Sequence, residues 1–327
     1  MHVQPGRSRR GRARSRTRRR RRIRRVLLAT GAVLVALVLA LLWLVEHFLG
    51  GIQRAPLLPP YDGPPGRGQN ILLLGSDSRA GALRLDARSD VIQLVHISAD
   101  GRSAAVVHVP RDLYVSIPGH GRNKINAAYA FGGAPLVVRT LERLLGIGID
   151  HVAQTGFGGF ADITDTVHGV DMRVRTVTAQ DHLIGVDHPG WHHFDGHEAL
   201  GYVRVRHGLR LGDIDRGRRE QQWLAAMFGK VHRVDTLLDP VRLVALARDV
   251  SPHLVLDETF TNADIRALAV QTRHLSARRI SWLTAPWSGF GSVPGVGDTV
   301  TPDRAGLRRL GTDLRTDDMQ ALAAMAD

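Results

Sequence analysis

The chain has no cysteine in 327 residues. Disulfides, thiolate metal sites and a cysteine nucleophile are thereby excluded. Lysine is almost missing too: of 44 Lys and Arg residues only Lys124 and Lys230 are lysines. A lysine kept against that bias points to a place where a compact, flexible point charge serves better than a planar guanidinium. Acidic residues are absent from the first 25 positions, which hold thirteen arginines. That tail carries the whole net charge of +13, because the remainder balances 31 basic against 31 acidic residues. The body is therefore neutral, and a generally basic, nucleic-acid-binding surface is not expected of it.

Charge is lacking altogether from Val26 to Val45, a twenty-residue apolar run interrupted only by Thr30 and Gly31. At a rise of about 1.5 Å per residue this run spans the roughly 30 Å hydrocarbon core of a bilayer. The arginine tail before it and Glu46 after it predict a cytoplasmic N-terminus and a body outside the membrane. No small-x-small cleavage site follows and the run exceeds a signal-peptide core, so the reading is an uncleaved single span. A tail beside a span is held at anionic lipid headgroups rather than on nucleic acid. The expected organisation is a basic cytoplasmic tail (1–25), a transmembrane helix (26–45), a Gly/Pro-rich extended linker (46–69) and one extracytoplasmic domain (70–327).

Within the body, Ile71 to Leu74, Val91 to Ile97 and Ala104 to Val109 read as strands, with Asp100-Gly101 as the hairpin signal between the last two. Pro135 and Gly146 bracket a helix whose apolar residues recur at helical spacing. His151 to Thr155, Gly159 to Val167 and Val170 to Val174 repeat strand, helix and strand. A helix begins at Gly196, and a longer one runs from about Ile214 to Val231 with Arg216 in line with Trp223, Met227 and Val231. Asp239-Pro240, Thr261 with Asp264, and Thr301-Pro302 signal three further helix starts. Ile280 to Leu283 and Val296 to Val300 read as strands. Alternation of this kind predicts an α/β fold, a three-layer αβα domain around a central sheet.

The stretch VVHVPRDLYVSIPGHGRNKINAAYAFGG, Val106 to Gly133, organises the chemistry. Pro110 closes a strand, which puts Arg111 and Asp112 at its C-terminal edge, where open α/β sheets bind ligands. The segment with Gly119, Gly121, Asn123 and Lys124 reads as a flexible loop that brings N–H groups and an ammonium to an anion. With Asp77, Arg79, Arg88, Asp90, Arg204, Arg206, Asp213 and Arg216, these residues collect at strand ends and helix starts. Several arginines beside two or three carboxylates suit a pyrophosphate and a divalent metal.

The segments NILLLGSDSR, RSDVIQLVHIS, VVHVPRDLYVSIPGHGRNKINAAYAFGG, FDGHEALGYVRVRHG and GDIDRGRREQQ, in this order and spacing, resemble the LytR-CpsA-Psr family of bacterial cell-wall glycopolymer ligases. The resemblance covers about 70 to 230. It implies a mixed central sheet, a single N-terminal span and a phosphotransferase that moves a glycan from a polyprenyl pyrophosphate carrier to a peptidoglycan sugar hydroxyl, forming a phosphodiester. By position, Asp77 and Asp90 match the family's magnesium aspartates, Arg88, Arg111, Arg204 and Arg206 its pyrophosphate-binding arginines, and Asp213 a further functional acid. Asp90 and Asp213 are the candidates for taking the acceptor's proton, a metal-held Asp90 being the poorer base. One position departs: Glu220 stands where the family usually has glutamine, and a carboxylate there weakens phosphate binding by repulsion, so either Gln221 or Gln222 substitutes or the contact is lost.

Other signals weigh less. His182, His188, His192, His193 and His197 are too irregularly spaced for a zinc site. Arg173 and Arg175 alternate on a strand and are expected to share a solvent face. Two rival functions stand beside ligation: hydrolysis of the same lipid pyrophosphate, and a membrane-anchored regulatory module without turnover, against which Asp77 and Asp90 count.

Overall fold

The computed structural model describes residues 43–44, 46–76, 89–231 and 240–326. Asp77, Arg79, Arg88 and nearly all of the Val26 to Val45 run lie outside the described residues. Among the described residues no helix is long and apolar enough to cross a membrane. Contacts divide the chain between His47 and Phe48, and all that follows concerns the larger unit.

The central sheet is mixed, in the order β1 (Gln53–Ala55), β10 (Leu254–Asp257), β7 (His151–Gly156), β2 (Gln69–Ser76), β3 (Ser89–Ile97), β4 (Ala104–His108), β11 (Ile280–Thr284). β2 pairs parallel with β7 and antiparallel with β3, while β4 pairs antiparallel with β3 and parallel with β11. The register therefore brings the C-terminal ends of β2, β4, β7 and β11 and the N-terminal end of β3 to one edge. Arg111 follows β4 at that edge and Asp90 is the second residue of β3, so both candidate residues meet there. The hairpin read at Asp100-Gly101 is present, with Gly101 at φ 66°.

Helices α1 (Ala127–Leu145), α2 (Phe157–Thr166), α3 (Gly196–Arg204), α4 (Asp213–Val231), α5 (Pro240–Val250), α6 (Asn262–Gln271), α7 (Arg304–Thr316) and α8 (Met319–Ala324) cover both faces. Because strand residues alternate between faces, Leu72, Leu74, Leu94 and Val107 share one side. They pack into one core with Val137 and Leu141 of α1, Leu310 and Leu314 of α7, and Leu322 of α8. On the other side Ile71 and Ile97 pack with Ile265 and Leu268 of α6, and α4 crosses β4 and β11. Gln221 ties that helix down by donating from Nε2 to the carbonyls of Val106 (3.0 Å) and Leu283 (2.8 Å). Gly217 lets it come close: a Cβ there would lie 2.1 Å from the His108 ring.

Several expectations are corrected. Part of the stretch read as a linker is β1, paired with β10 at the sheet edge, and Leu57 beyond it is buried. Val170–Val174 (β8) is outside the central sheet and pairs with β9 (Gly190–Phe194), with Asp171 and Arg173 on its exposed face. The glycine-bearing segment is a hairpin, β5 (Tyr114–Ile117) against β6 (Gly121–Lys124), with Gly119 and Gly121 at φ 78° and 70° in its turn. Helix α1 starts earlier than Pro135; Gly132 and Gly133 leave helical geometry, and Pro135 opens the second half, which ends at Gly146 in the left-handed conformation. Thr301 and Pro302 end a strand, β13 (Gly297–Pro302), paired with β12 (Trp287–Val293), and Asp303 is the N-cap of α7.

Candidate active site

At the sheet edge the first residues of α4 meet the residues after β4. Asp213 opens that helix, where a carboxylate complements the positive N-terminal end. Its Oδ2 accepts from the backbone N–H of Arg111 at 2.9 Å, and its Oδ1 lies 2.7 Å from Nη2 of Arg216. Arg216 donates from Nη2 to the Asp90 carbonyl at 2.7 Å and from Nε to Glu220 at 3.1 Å. The Arg111 guanidinium is paired with the Asp90 carboxylate. Lys124 lies 3.1 Å from Asp112, whose other oxygen is 3.8 Å from Arg111. Cations and carboxylates thus alternate from Lys124 through Arg111 to Glu220. The side chains of Asp213 and Arg216 are 5% and 4% exposed, whereas that of Asp90 is 28% exposed.

Glu220 is the most unusual member. Gln93 donates to it at 3.0 Å, and His108 lies 3.6 Å away. Burial, helped by the neighbouring charge of Asp213, pushes its carboxyl up to about 7, despite the opposing pull of Arg216. Arg216 is held above its ordinary value: burial works against its charge, but Asp213, Glu220, Asp90 and Asp112 outweigh it.

Beside this cluster a cavity of about 490 Å³ opens between the sheet and helices α2, α3 and α4. Leu73, Ala153, Phe160, Leu200, Val203 and Trp223 are among its apolar walls, and Asp90, Arg111, Arg204, Arg206, Arg216 and Glu220 supply its charge. Phe160 and Trp223 stack at 4.0 Å between ring centroids. Arg204 and Arg206 flank the C-cap of α3, a helix started by a capping box between Asp195 and Glu198. Both are exposed, and the Arg204 guanidinium lies 4.3 Å over the Phe157 ring. An apolar hollow that ends on four guanidinium groups accommodates a molecule with a greasy tail and an anionic head.

A profile of the LytR_cpsA_psr family matches residues 62–300. The chain belongs to that family. It is 33% identical over 301 residues to the Corynebacterium glutamicum protein named "Probable cell wall biosynthesis protein LcpB", covering 88% of this chain and 69% of that one. It is 37% identical over 189 residues to TagT of Bacillus subtilis, named as a polyisoprenyl-teichoic acid–peptidoglycan teichoic acid transferase; the match covers 55% of this chain and 58% of TagT. A solved structure titled "TagT bound to LI-WTA" superposes with a TM-score of 0.63 at 27% identity, over 82% of this chain and 96% of that one.

Among the sequence-derived candidates, Asp90, Arg111, Arg204, Arg206 and Arg216 line the cavity, while Asp77 and Arg88 lie outside the described residues. Asp213 is near but enclosed; it fixes Arg111 and Arg216 and does not reach the wall. Lys124 touches the site only through Asp112, and the hairpin turn with Gly119 and Gly121 does not line the cavity. Gln221 and Gln222 do not take over the place of Glu220. The first is spent on sheet carbonyls, the second is not on the cavity wall, and Glu220 itself points in. Of the histidines only His188 and His192 bring their rings together, at 4.7 Å; His182 pairs with Asp187 and His193 with Asp171, and among the described residues no group of three His, Asp or Glu side chains is placed to hold a metal. Arg173 and Arg175 are exposed, as their alternation predicts.

Reading the sequence missed Gln93 and His108, because a polar residue inside an apolar strand looks like a solvent-facing position until a partner is found for it. Arg219, beside Glu220, was also missed. It is buried, bonded to both oxygens of Asp181 at 2.6 and 2.8 Å, and stacked on Tyr202 at 4.0 Å. These contacts make it the anchor of α3 and the 176–181 segment, not a ligand group.

Proposed function

We propose that this protein is a phosphotransferase that moves a glycan from a polyprenyl pyrophosphate to a sugar hydroxyl of peptidoglycan. The observation that carries the reading is the apolar cavity ending on Arg111, Arg204, Arg206 and Arg216. The isoprenoid lies in the hollow, and the pyrophosphate lies among the guanidinium groups. Each charge-assisted bond contributes roughly 1.5 to 3 kcal/mol, so a few such bonds hold the carrier firmly. The name of TagT, a transferase to peptidoglycan, supports the same chemistry, and that of LcpB supports a role in cell wall biosynthesis. The donor, the acceptor and a catalytic domain outside the membrane are parts of this proposal.

In the reaction the acceptor oxygen attacks the sugar-side phosphorus. The bond from that phosphorus to the bridging oxygen breaks, and polyprenyl monophosphate leaves. Arg111 and Arg216 face the charge that builds on the transferring group, and Asp213 holds both in place before substrate arrives. Asp90 and Asp213 are the two proton-acceptor candidates: the Asp90 carboxylate is on the cavity wall but pairs with Arg111 and would be the poorer base when it holds a cation, while that of Asp213 is enclosed.

Magnesium fits this site. Asp90 presents a hard oxygen donor beside the place assigned to the phosphates, and such an ion needs only one or two carboxylates when phosphate oxygens complete its shell. Asp90 and Asp77 would hold it, and it would supply further neutralisation of phosphate charge. Asp90→Asn should keep its melting temperature and lipid pyrophosphate binding, lose most transfer, and recover partly at high magnesium. If the melting temperature falls and magnesium rescues nothing, Asp90 is only the structural partner of Arg111.

The whole reading is tested by supplying the purified chain with a polyprenyl-pyrophosphate-linked glycan and peptidoglycan fragments, then weighing the products. A glycan joined to peptidoglycan by a phosphodiester is expected. A free glycan phosphate would show hydrolysis, and no product with tight lipid binding would show a module without turnover.

A further inference from the structure

A second hollow, of about 440 Å³, lies between the β5–β6 hairpin, the C-terminal part of α1 and the start of α7. Four arginines line it: Arg122, Arg143, Arg304 and Arg308. No carboxylate does. Every one of these arginines is exposed, and among the described residues Arg143, Arg304 and Arg308 have no ion pair. Arg122 alone is oriented, its guanidinium 4.6 Å over the Tyr114 ring.

The contrast with the reaction centre is what makes this cleft informative. There Lys124, Arg111 and Arg216 each have a carboxylate partner, and only the exposed Arg204 and Arg206 have no ion pair among the described residues. Here four like charges line one concave surface without a carboxylate, which gives it a positive potential that attracts anions. Planar guanidinium forks match the two-oxygen edge of phosphate or carboxylate. The amides at the start of α7 contribute little, since Asp303 already accepts from Ala305 and Gly306. The side chains hold the ligand.

Placement adds a direction. In the hairpin register Tyr114 faces Lys124 and Ser116 faces Arg122, so Arg122 and Lys124 share one side of β6. Lys124 reaches Asp112, next to Arg111. A basic line therefore leads from the reaction centre along the hairpin into the arginine cleft. None of the exposed large apolar side chains, such as Phe131, Trp191 or Phe290, lines the cleft, which argues against a bilayer surface as its ligand.

We propose that this cleft binds an extended anionic glycan, with phosphate or carboxylate groups along its repeat, and holds it while its linked end is transferred. The binding stands on the cleft alone; the clause about transfer rests on the ligase reading.

The test uses the full chain in detergent micelles with three soluble probes: oligo(glycerol phosphate), oligogalacturonate and neutral dextran. Because the arginine tail also attracts polyanions, the readout is local. Arginine-selective chemical modification followed by peptide mass spectrometry should find Arg143, Arg304 and Arg308 protected by one or both anionic probes and not by dextran. The protection should weaken with added salt. The triple change Arg143→Ser, Arg304→Ser, Arg308→Ser should lower polymer affinity about tenfold, while Arg278→Ser, an exposed arginine elsewhere, leaves it unchanged. The probes carry no lipid pyrophosphate and the readout is protection at the cleft, so a failure of the ligase reading in the product assay does not touch this result. Protection confined to the tail, equal protection by dextran, equal affinity in the triple variant, or protection only by phosphatidylglycerol vesicles would each overturn the proposal. Protection by one anionic probe and not the other names the anion.

Discussion

The two faces of the central sheet are built from the same kind of residue and end up doing opposite things. On one face Leu72, Leu74, Leu94 and Val107 are 0 to 2% exposed and sealed by α1 and α7. On the other, Leu73 and Ala153, paired in register, look into an open cavity with Trp223 and Phe160 across it. Both faces present leucine, valine and alanine. The distinction lies in what stands opposite. A sealed face adds stability; an open apolar face gives some of it up to keep room for a ligand.

The largest effect is expected on the sealed face. Leu94→Ala leaves a hole among side chains with nowhere to move and should cost about 2 to 5 kcal/mol, read as a drop in melting temperature. Arg111→Ala on the open side should spare the melting temperature yet cut transfer by about 10²- to 10³-fold, the usual cost of losing a donor aimed at a developing charge. Arg139→Ala, exposed on α1 over the sealed face, should change neither. If both arginine variants lose transfer equally, the faces do not differ in the way described.

Filling the hollow sharpens the comparison further. Ala153→Trp should leave stability within about 1 kcal/mol, because the side chain enters space that is already there, while lipid binding and transfer fall at least about tenfold. A large loss of stability would mean that the cavity is packed shut in solution.

The effect confined to one pH window concerns Glu220. Its folded carboxyl is raised to about 7, above the unfolded value of about 4.3. The folded state therefore holds the proton more tightly, so this contribution is complete below the unfolded value and is lost as pH rises through about 7. Glu220→Gln should flatten that part of the stability profile. A denaturation series across this pH window compares the two, and parallel profiles would remove Glu220 as the cause.

Much of this was legible beforehand. Pro110 and the Asp100-Gly101 turn punctuate the chain strongly enough to place Arg111 at a strand's end, and the position of Arg216 in an apolar stripe gave its inward aim. Other features were not legible for physical reasons. Val170–Val174 has the alternation of any half-buried strand, and nothing in it says which sheet it joins. The hairpin after Asp112 looked like a loop because its turn glycines and polar β6 lack an apolar period. The cavity was invisible, since an apolar wall and an apolar core are written in the same letters. Glu220 was read as a defect in a phosphate contact, whereas its partners Gln93 and His108 lie over a hundred positions away.

Gly217 sets a tolerance. Where α4 crosses β4 no side chain separates helix from histidine ring, so the gap between them is fixed by bare backbone, as a feeler gauge fixes a clearance. Arg216 and Glu220 are mounted within three residues of that point of contact. A single added methyl would lift the helix and carry both charges away from Asp90 and Gln93 together. Displacement of about an ångström is enough to lower a rate by on the order of a hundredfold. Layer thickness and reaction geometry are therefore one dimension in this molecule, and neither is free to drift without the other.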